Sequence, residues 1–504
     1  MTAIGNKSSF TKPKWTPWFF LFLFAAALNF YSLGNHGLLE PDEGRYANIA
    51  LEWTEFNEHN WLEPMMSDVG HYDKPPLIYW ATGTSLLIFG RHEWAARIPS
   101  VLGGMLTLLG VGLLGYRHYG EKAAFAAVIV CVTSLQFWAL SHLLSPDMLL
   151  CGFCTLGAAL VLWGKARTQW KTALIWIIGA LCWTLAWWTK ATACLVPLAA
   201  LCAGLLLSGN KEMLRSVRPL RLILLILLLG SPWYLIMLNR HDELWDFFFV
   251  REVVGRIAGH EDGRKGFPGF HFAVAAAFWM PWWPVLFYAA KKKFNGWRNM
   301  SLRAKFASIP WPVWSALVFL AIYSFVSSKL ITYTLPGLPF IAVAVGRQLG
   351  DFKVDITHWH TRLVAAACVF YLIVGVVIPR IESDLSKNST VKNVINEAVS
   401  RGAEVLVMDY HCPGAEFYFE GPVWYVDVRD IAQAHDVQGQ FENRYFVSKE
   451  NIVHQVTETE ADIWLIQIRT HPLPWKQKLI EMNQEIGDAK FEVGDFRCIQ
   501  VQRS

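Results

Sequence analysis

The sequence is poor in charge. Asp, Glu, Lys and Arg make up 17% of its 504 residues, against about 25% in an average soluble protein. Soluble cores rarely grow past roughly 250–300 residues, so a soluble chain of this length would divide into two or more charged-surface domains; the charge for that is missing. Chemical signatures are missing too. No G-x-x-x-x-G-K-[ST] loop is present, which argues against direct ATP hydrolysis, and there is no H-E-x-x-H zinc motif. No internal repeat relates the two halves, which weakens a secondary-transporter reading. Cysteines number only 9. Cys131, Cys151, Cys154, Cys182, Cys194, Cys202 and Cys368 lie in or beside apolar segments, where they act as small hydrophobes. Cys151 and Cys154 have the spacing of half a metal knuckle, without a second pair nearby. Only Cys412 and Cys498 lie in the C-terminal part, where they could pair if that part is outside the cytoplasm. These absences exclude a cytosolic enzyme, a DNA-binding protein and a disulfide scaffold.

What is abundant is apolar surface. Hydrophobic residues make up 54% of the chain, Trp alone accounts for 25 positions, and mean hydropathy is +0.28. Long apolar runs fill residues 15–380 and then stop. A bilayer crossing takes about 20 apolar residues. Spans are expected near 15–33, 98–116, 122–143, 148–164, 172–189, 191–208, 219–238, 270–290, 309–326, 330–346 and 362–380. The first follows Lys7, Lys12 and Lys14 and lacks a small-residue cleavage site, so it reads as an uncleaved span rather than a signal peptide. Two further segments are too short or too polar to cross: Leu77–Phe89 and residues 244–258 read as helices lying in the interface. The tail alternates turn signals with short β-like runs at 404–408, 423–428, 445–447, 462–468 and 497–501, with helical stretches near 389–400 and 474–485. The expectation is a polytopic α-helical membrane protein: a transmembrane domain over 1–380, with interface helices in 34–97 and 239–269, and a small soluble α/β domain over 381–504.

The net charge of +4 conceals a split. Residues 381–504 carry 12 Lys and Arg against 20 Asp and Glu, and the remainder carries 33 against 21. With the N-terminus inside, the inner loops collect Arg117, Lys122, Lys165, Arg167, Lys171, Lys211, Arg215, Arg218, Arg221, Lys291, Lys292, Lys293, Arg298, Arg303, Lys305, Arg347 and Lys353, as the positive-inside rule demands. An odd number of spans then puts the acidic tail outside, beside loop 34–97. The basic membrane part is explained by orientation and gives no reason to invoke nucleic acid.

Against that pattern a minority of ionisable residues stands on the outer face: Asp42, Glu43 and Arg45 with Tyr46; Asp73 and Lys74; Asp147; Lys190; Arg251 and Arg256; Lys329 with Tyr333. Each has an ordinary structural explanation, such as a helix start for Asp42, Glu43 and Asp147, a surface ion pair for Asp73 and Lys74, or snorkelling for Lys190. Their agreement in side is what an ordinary explanation does not supply, because ionisable groups at membrane depth are costly and usually functional. Carboxylates gathered there can serve as a base or stabilise positive charge at a reacting carbon, while Lys and Arg hold a phosphate. A lipid phosphate is the substrate such a cavity fits.

The segments LLEPDEGRYANIA, HYDKPPLIYWATGTSLLIFG, EWAARIPSVL and SSKLITYTLPGLPFIA resemble the lipid-phosphate-sugar-dependent glycosyltransferases of the protein O-mannosyltransferase-like group, with the GT-C fold of about 11–13 transmembrane helices. Within that group the chain is most similar to transferases that move 4-amino-4-deoxy-L-arabinose from undecaprenyl phosphate onto lipid A. The resemblance covers roughly 15–380 and is strongest in 38–100. It implies catalytic roles for Asp42, Glu43 and Asp147. It implies substrate or phosphate contacts for Arg45, Tyr46, Asp73, Lys74, Lys190, Arg256, Lys329 and Tyr333. The family pattern allows a divalent metal held through the His of an outer Glu-His pair; in its place the candidates here are Asp73 and His260, and no cofactor is assigned. Two departures stand out: Asp73 replaces a frequent Glu, and Glu252-Val253 stands where a Glu-His pair is common. The implied activity is inverting transfer of a sugar from a polyprenyl phosphate to a lipid, glycan or protein acceptor at the periplasmic face of a bacterial inner membrane. A lipid-linked-sugar flippase and an assembly protein acting through its tail are the alternatives.

Overall fold

In the computed structural model the described residues are 15–55, 61–164, 168–255, 266–279, 282–294, 296–297 and 300–351, and in the C-terminal part 391–408, 410–426, 446–447, 461–468, 486–493 and 496–501, with residues 365, 369 and 455 isolated between them. The membrane part is a bundle of helices whose outside is apolar. Phe19, Phe20, Ile88, Leu220, Leu228, Leu235 and Phe287 are all exposed; this much exposed apolar surface fits lipid rather than water as the surrounding solvent. Among the described residues, by length and composition, the helix Glu93–Tyr119 and the helical run Gln169–Leu207 are each long enough to cross a bilayer, and counting bent pairs as single spans raises the number to as many as six.

Helices α1 (Trp15–Phe30), α2 (Asp42–Trp53), α3 (Leu77–Phe89) and α4 (Glu93–Tyr119) open the chain. The helix expected over Leu77–Phe89 is present as α3; at 13 residues it is about 20 Å long, too short for a 30 Å hydrocarbon core. Between α2 and α3 a small hairpin pairs β1 (Met65–Met66) with β2 (Val69–Gly70). Several expected spans are broken instead of straight. Residues 122–143 form α5 (Glu121–Val132) and α6 (Leu135–Ser141), bent by 63°. The run 219–238 is split by Pro232, whose missing N–H ends α11 (Pro219–Gly230) before α12 (Pro232–Arg240). A 3-10 segment Ile331–Gly337 precedes the helix Leu338–Gly350. The second interface segment is a π-helix over Asp246–Gly255. The expected span 362–380 lies outside the described residues.

Close helix approach is bought with small side chains. α7 (Pro146–Val161) lies against α4, where a Cβ at Gly103 would sit 2.6 Å from the Met148 carbonyl oxygen and one at Gly110 2.7 Å from the Leu156 nitrogen. In a bilayer, where apolar burial does not drive helices together, such backbone contact is the main source of packing energy. α8 (Gln169–Lys190) runs antiparallel to α7: Lys190 meets Asp147, and further along Trp183 and Gly179 meet Gly157. The helical run breaks after Lys190, at Ala191 with φ 31° and ψ −125°. α9 (Leu195–Leu207) follows, its Gly204 packed on Trp311 and Ser315 at the start of the helix Trp311–Phe325, and the short α10 (Lys211–Val217) leads into α11. Lys190 therefore stands at the break between α8 and α9.

The C-terminal part contains a six-stranded mixed sheet in the order β5-β4-β3-β6-β8-β7. β3 (Val405–Met408), β4 (Val423–Val426), β5 (Phe446–Val447) and β6 (Ile463–Ile468) are parallel, and β8 (Phe496–Val501) runs antiparallel to both β6 and β7 (Ile486–Val493). β3 is buried at all four positions, the mark of a strand covered on both faces. The expected strands and the helix near 389–400 (Lys392–Ser400) are present. β7, whose sequence IGDAKFEV lacks clean alternation, and the short helix Pro413–Tyr418 were not expected. The expected helix 474–485 lies outside the described residues. Cys412 and Cys498 are both free and buried.

Candidate active site

Among the described residues, Asp42, Asp73, Asp147, Lys190 and Tyr333 lie in one neighbourhood at one end of the bundle, and the framework that holds them is itself charged. Pro41 precedes α2 and places Asp42 and Glu43 in its first turn, where the helix dipole favours acids. The two neighbours point in opposite directions. Asp42 is 66% exposed, with Oδ1 accepting from Arg45 at 2.6 Å. Glu43 is buried: Oε1 accepts from Arg97 Nε at 2.8 Å and the Leu144 amide at 2.6 Å, and Oε2 from Arg97 Nη2 at 2.8 Å and the Leu39 amide at 2.9 Å. Arg97, fully buried in α4, also donates to the carbonyls of Leu33, His36 and Gly37. Burial works against the Glu43 carboxylate, but Arg97 and the two amides overcome it and hold the group below the usual range. With all four of these donors committed to it, Glu43 is a strut joining α2, α4 and the start of α7 rather than a group facing a substrate. Arg97 stands inside EWAARIPSVL, and an Arg embedded in an apolar run was the signal available for it.

Asp73 pairs with Lys74 at 2.7 Å, both largely buried. Asp147 accepts from Lys190 at 2.6 Å across the α7–α8 contact. The Lys190 ammonium also lies 4.9 Å from the Tyr333 ring centroid, a cation–π distance. Tyr333 stacks with His271 at 6.3 Å and contacts Tyr323 at 5.2 Å. Arg45 lies in the field of Asp73 and Asp42, and Tyr46 in that of Asp73, Asp42 and Asp147, so all three carboxylates act on Tyr46. Burial raises the Tyr46 hydroxyl above its ordinary range, with Arg45 opposing; the phenol is a neutral hydrogen-bonding group there. Lys329 is placed differently from the expectation. Its ammonium donates to the carbonyls of Tyr323, Ser324 and Val326, which makes it a cap on the helix Trp311–Phe325.

Arg256 and His260 lie outside the described residues, and so do the side chains of Arg251, Glu252 and Val253. Among the described residues no three His, Cys, Asp or Glu side chains form a metal-binding group, and Asp73 is committed to Lys74. One anchor was not anticipated. Tyr72, next to Asp73, meets His241 Nε2 through its hydroxyl at 3.0 Å, and Arg240 pairs with Glu63 at 2.7 Å, fixing the Asp73–Lys74 element to the end of α12. A separate apolar cavity of about 1250 Å³, lined by Leu286, Phe294, Val313, Leu320 and Ile341 among others, extends toward Pro310 and Arg347, away from the helix ends that carry Lys190 and Tyr333.

Comparison with known proteins bears on this arrangement. Residues 73–236 match the family described as dolichyl-phosphate-mannose-protein mannosyltransferase. The undecaprenyl phosphate-alpha-4-amino-4-deoxy-L-arabinose arabinosyl transferase 1 of Proteus mirabilis is 26% identical over 343 residues, 67% of this chain and 60% of that protein. Transferase 2 of Pseudomonas fluorescens is 26% identical over 63% of this chain and 57% of that protein. The matches thus span less than two thirds of the length of these curated relatives. The crystal structure of ArnT from Cupriavidus metallidurans bound to undecaprenyl phosphate superposes with a TM-score of 0.77 at 17% identity, covering 96% of this chain and 98% of that one. The likeness read from the sequence motifs therefore holds at the level of fold and sequence: the chain shares the helical membrane-protein fold of that structure and is similar in sequence to the undecaprenyl phosphate-aminoarabinose transferases.

Proposed function

We propose that this protein is an inverting glycosyltransferase that takes a sugar from undecaprenyl phosphate, or a similar polyprenyl phosphate, and moves it to lipid A at the periplasmic face of the inner membrane. The observation that carries this reading is the convergence of Asp42, Asp73, Asp147, Lys74 and Lys190 at one end of an apolar bundle. The sugar is 4-amino-4-deoxy-L-arabinose, the one named in the sequence relatives. The acidic domain after residue 381 lies on the same side as the site, and the N-terminus lies in the cytoplasm. A single displacement accounts for the residues present. The acceptor oxygen attacks the anomeric carbon as the bond from that carbon to the phosphate oxygen breaks, and the lipid phosphate leaves with the electron pair. Lys190 and Lys74, joined by Arg256, stabilise the leaving phosphate. Asp147 holds Lys190 in place, and Tyr333 gives it an aromatic floor. Asp42, the most exposed carboxylate of the group, takes the proton of a hydroxyl acceptor; if the acceptor is a phosphate, already anionic, Asp42 orients it.

Asp42→Asn tests this. The variant is expected to fold as the parent does and to transfer no labelled sugar from undecaprenyl phosphate to lipid A. Normal transfer by a folded Asp42→Asn protein would overturn the assignment. The same assay in sealed vesicles separates an enzyme from a flippase: a new glycosidic product marks the former, and a change of side without product the latter. Charge gathered at one end of the bundle, instead of along a path through it, favours chemistry over passage.

A further inference from the structure

The C-terminal domain is built into the site end of the membrane part. Helix α2, which carries Asp42, packs directly on the short helix Pro413–Tyr418. The Leu38 amide donates to the Tyr418 hydroxyl at 2.6 Å, four residues before Asp42. Arg91 donates to the carbonyls of Glu416, Phe417 and Phe419, and Lys392 pairs with Glu93. Into this junction the chain places three buried carboxyls. Glu40 is lodged between Gly44 and Gly414 in space that a Cβ on either glycine would occupy. Its oxygens lie beside the Cys412 thiol and the Gly414 amide, with neither engaged by a well-aligned donor. Glu416 Oε1 accepts from Ser67 Oγ at 2.5 Å and from the Tyr425 hydroxyl at 3.0 Å. Glu52, on α2, accepts from the Ser67 and Asp68 amides and faces Glu416.

We propose that Glu40 and Glu416 are positioning residues that act in their neutral, protonated form: they hold the C-terminal domain against α2, and through α2 they hold Asp42, so that loss of their protons loosens the site. Burying a carboxylate without a close cation is costly, whereas a neutral carboxylic acid meets a thiol, a hydroxyl or an amide at little cost. The charged and titratable groups facing Glu40 are Glu43 and Arg45 on α2 and Cys412 and Tyr425 in the domain. Around Glu416 stand Glu52 on α2, Asp68 in the β1–β2 turn, Tyr425 on β4 and, through Ser67, His411. The cations at these two acids are Arg45 for Glu40 and, for Glu416, Arg91, which donates to the Glu416 backbone carbonyl and not to its carboxyl; the remaining groups are acids apart from His411. Burial pushes Glu40 from 4.5 up to about 7, and burial raises the facing pair Glu416 and Glu52 above the ordinary carboxyl range as well.

The sign follows from linkage. The docked form binds more protons than the undocked form between pH 4.5 and about 7. Docking is therefore complete below that window, weakens as pH rises through it, and stays weak above it. For Glu40 the shift corresponds to up to about 300-fold in the docking equilibrium over the window, and Glu416 acts in the same direction. The effect on transfer rests on the glycosyltransferase reading; the effect on docking does not.

Cys412 supplies a native probe of docking, and Cys498, buried in the sheet of the same domain, an internal control for thiol ionisation and domain unfolding. The full chain in nanodiscs is treated with N-ethylmaleimide at pH 5.5 and pH 8, and both cysteines are quantified by peptide mass spectrometry. The Cys412-to-Cys498 labelling ratio is expected to rise at least tenfold at pH 8. The rise should disappear in Glu40→Gln/Glu416→Gln, whose amides imitate the protonated acids, and be reduced in Glu416→Gln alone. The turnover rate of the parent should fall over the same window while that of the double variant stays level. A ratio that is flat in the parent, or a rise that survives in both variants, overturns the proposal. A ratio that behaves as expected while turnover ignores it overturns the link to Asp42. Absence of transfer at every pH would instead refute the glycosyltransferase reading, with the labelling ratio still deciding the docking.

Discussion

Arg97→Leu removes the guanidinium that joins Glu43 to the loop before α2. In the parent, Arg97 is fully buried, Glu43 is 3% exposed, and both carboxylate oxygens accept from Arg97 at 2.8 Å. Removing one member of a buried pair leaves the other charge without its counterion, at a cost of about 3–5 kcal/mol. The carbonyls of Leu33, His36 and Gly37 lose their donor as well, each worth about 1 kcal/mol. These losses overlap, so about 5 kcal/mol is expected in total, most of the stability of an ordinary domain. Equilibrium unfolding in mixed detergent micelles measures it. A double-mutant cycle adds the decisive comparison. In Glu43→Gln/Arg97→Leu the buried charge is gone, so the double variant should be more stable than Arg97→Leu alone, and the non-additivity should lie between about 0.5 and 3 kcal/mol. Transfer should remain low in both, because Asp42 directly precedes the lost anchor. Arg97→Leu with less than about 1 kcal/mol lost and full transfer would refute the assignment of Glu43 and Arg97 as the strut of the site.

Two further outcomes follow from distances. Lys190→Gln withdraws the ammonium that meets Asp147 at 2.6 Å and lies over Tyr333; steady-state kinetics should show KM for the lipid-linked donor raised at least about tenfold, equivalent to about 1.4 kcal/mol, whereas Asp42→Asn should act on kcat, and an unchanged KM would remove Lys190 from phosphate binding. Gly110→Val drives a side chain toward the Leu156 backbone, 2.7 Å from its Cβ position, while the nearest atom to a Cβ on Gly112 is 3.4 Å away; Gly110→Val should cost about 1–3 kcal/mol and Gly112→Ala much less by the same unfolding measurement, and equal costs would argue against close α4–α7 contact.

Much of the site was legible because a membrane makes charge conspicuous. Asp42, Asp147 and Lys190 stood out as ionisable residues at the ends of apolar runs, and the structure brings Asp147 and Lys190 into contact across α7 and α8. Glu43 and Lys329 stood out equally, yet one is spent on Arg97 and the other on helix-end carbonyls. Sequence position marks a charge as unusual but does not say which way its side chain points. Span lengths were legible to the same degree. Hydropathy marks an apolar run, while the bend between α5 and α6 depends on local backbone geometry at Thr133 and Ser134, which apolar content does not report.

From its sequence alone the chain reads as a multi-pass membrane protein with an acidic domain after it, because apolar run length and charge asymmetry are properties that add up along the chain. The motifs around Asp42, Asp73 and Lys329 also point to a lipid-phosphate-sugar transferase, since short-range spacing survives in sequence. Only the tertiary structure decided that Arg97 serves Glu43, that Lys190 leans on Tyr333, and that Glu40 reaches Gly414. These pairs are separated by 54, 143 and 374 positions in the sequence. The energy of a buried charge depends on what folding brings within a few ångströms of it, and no pattern read along the chain carries that distance.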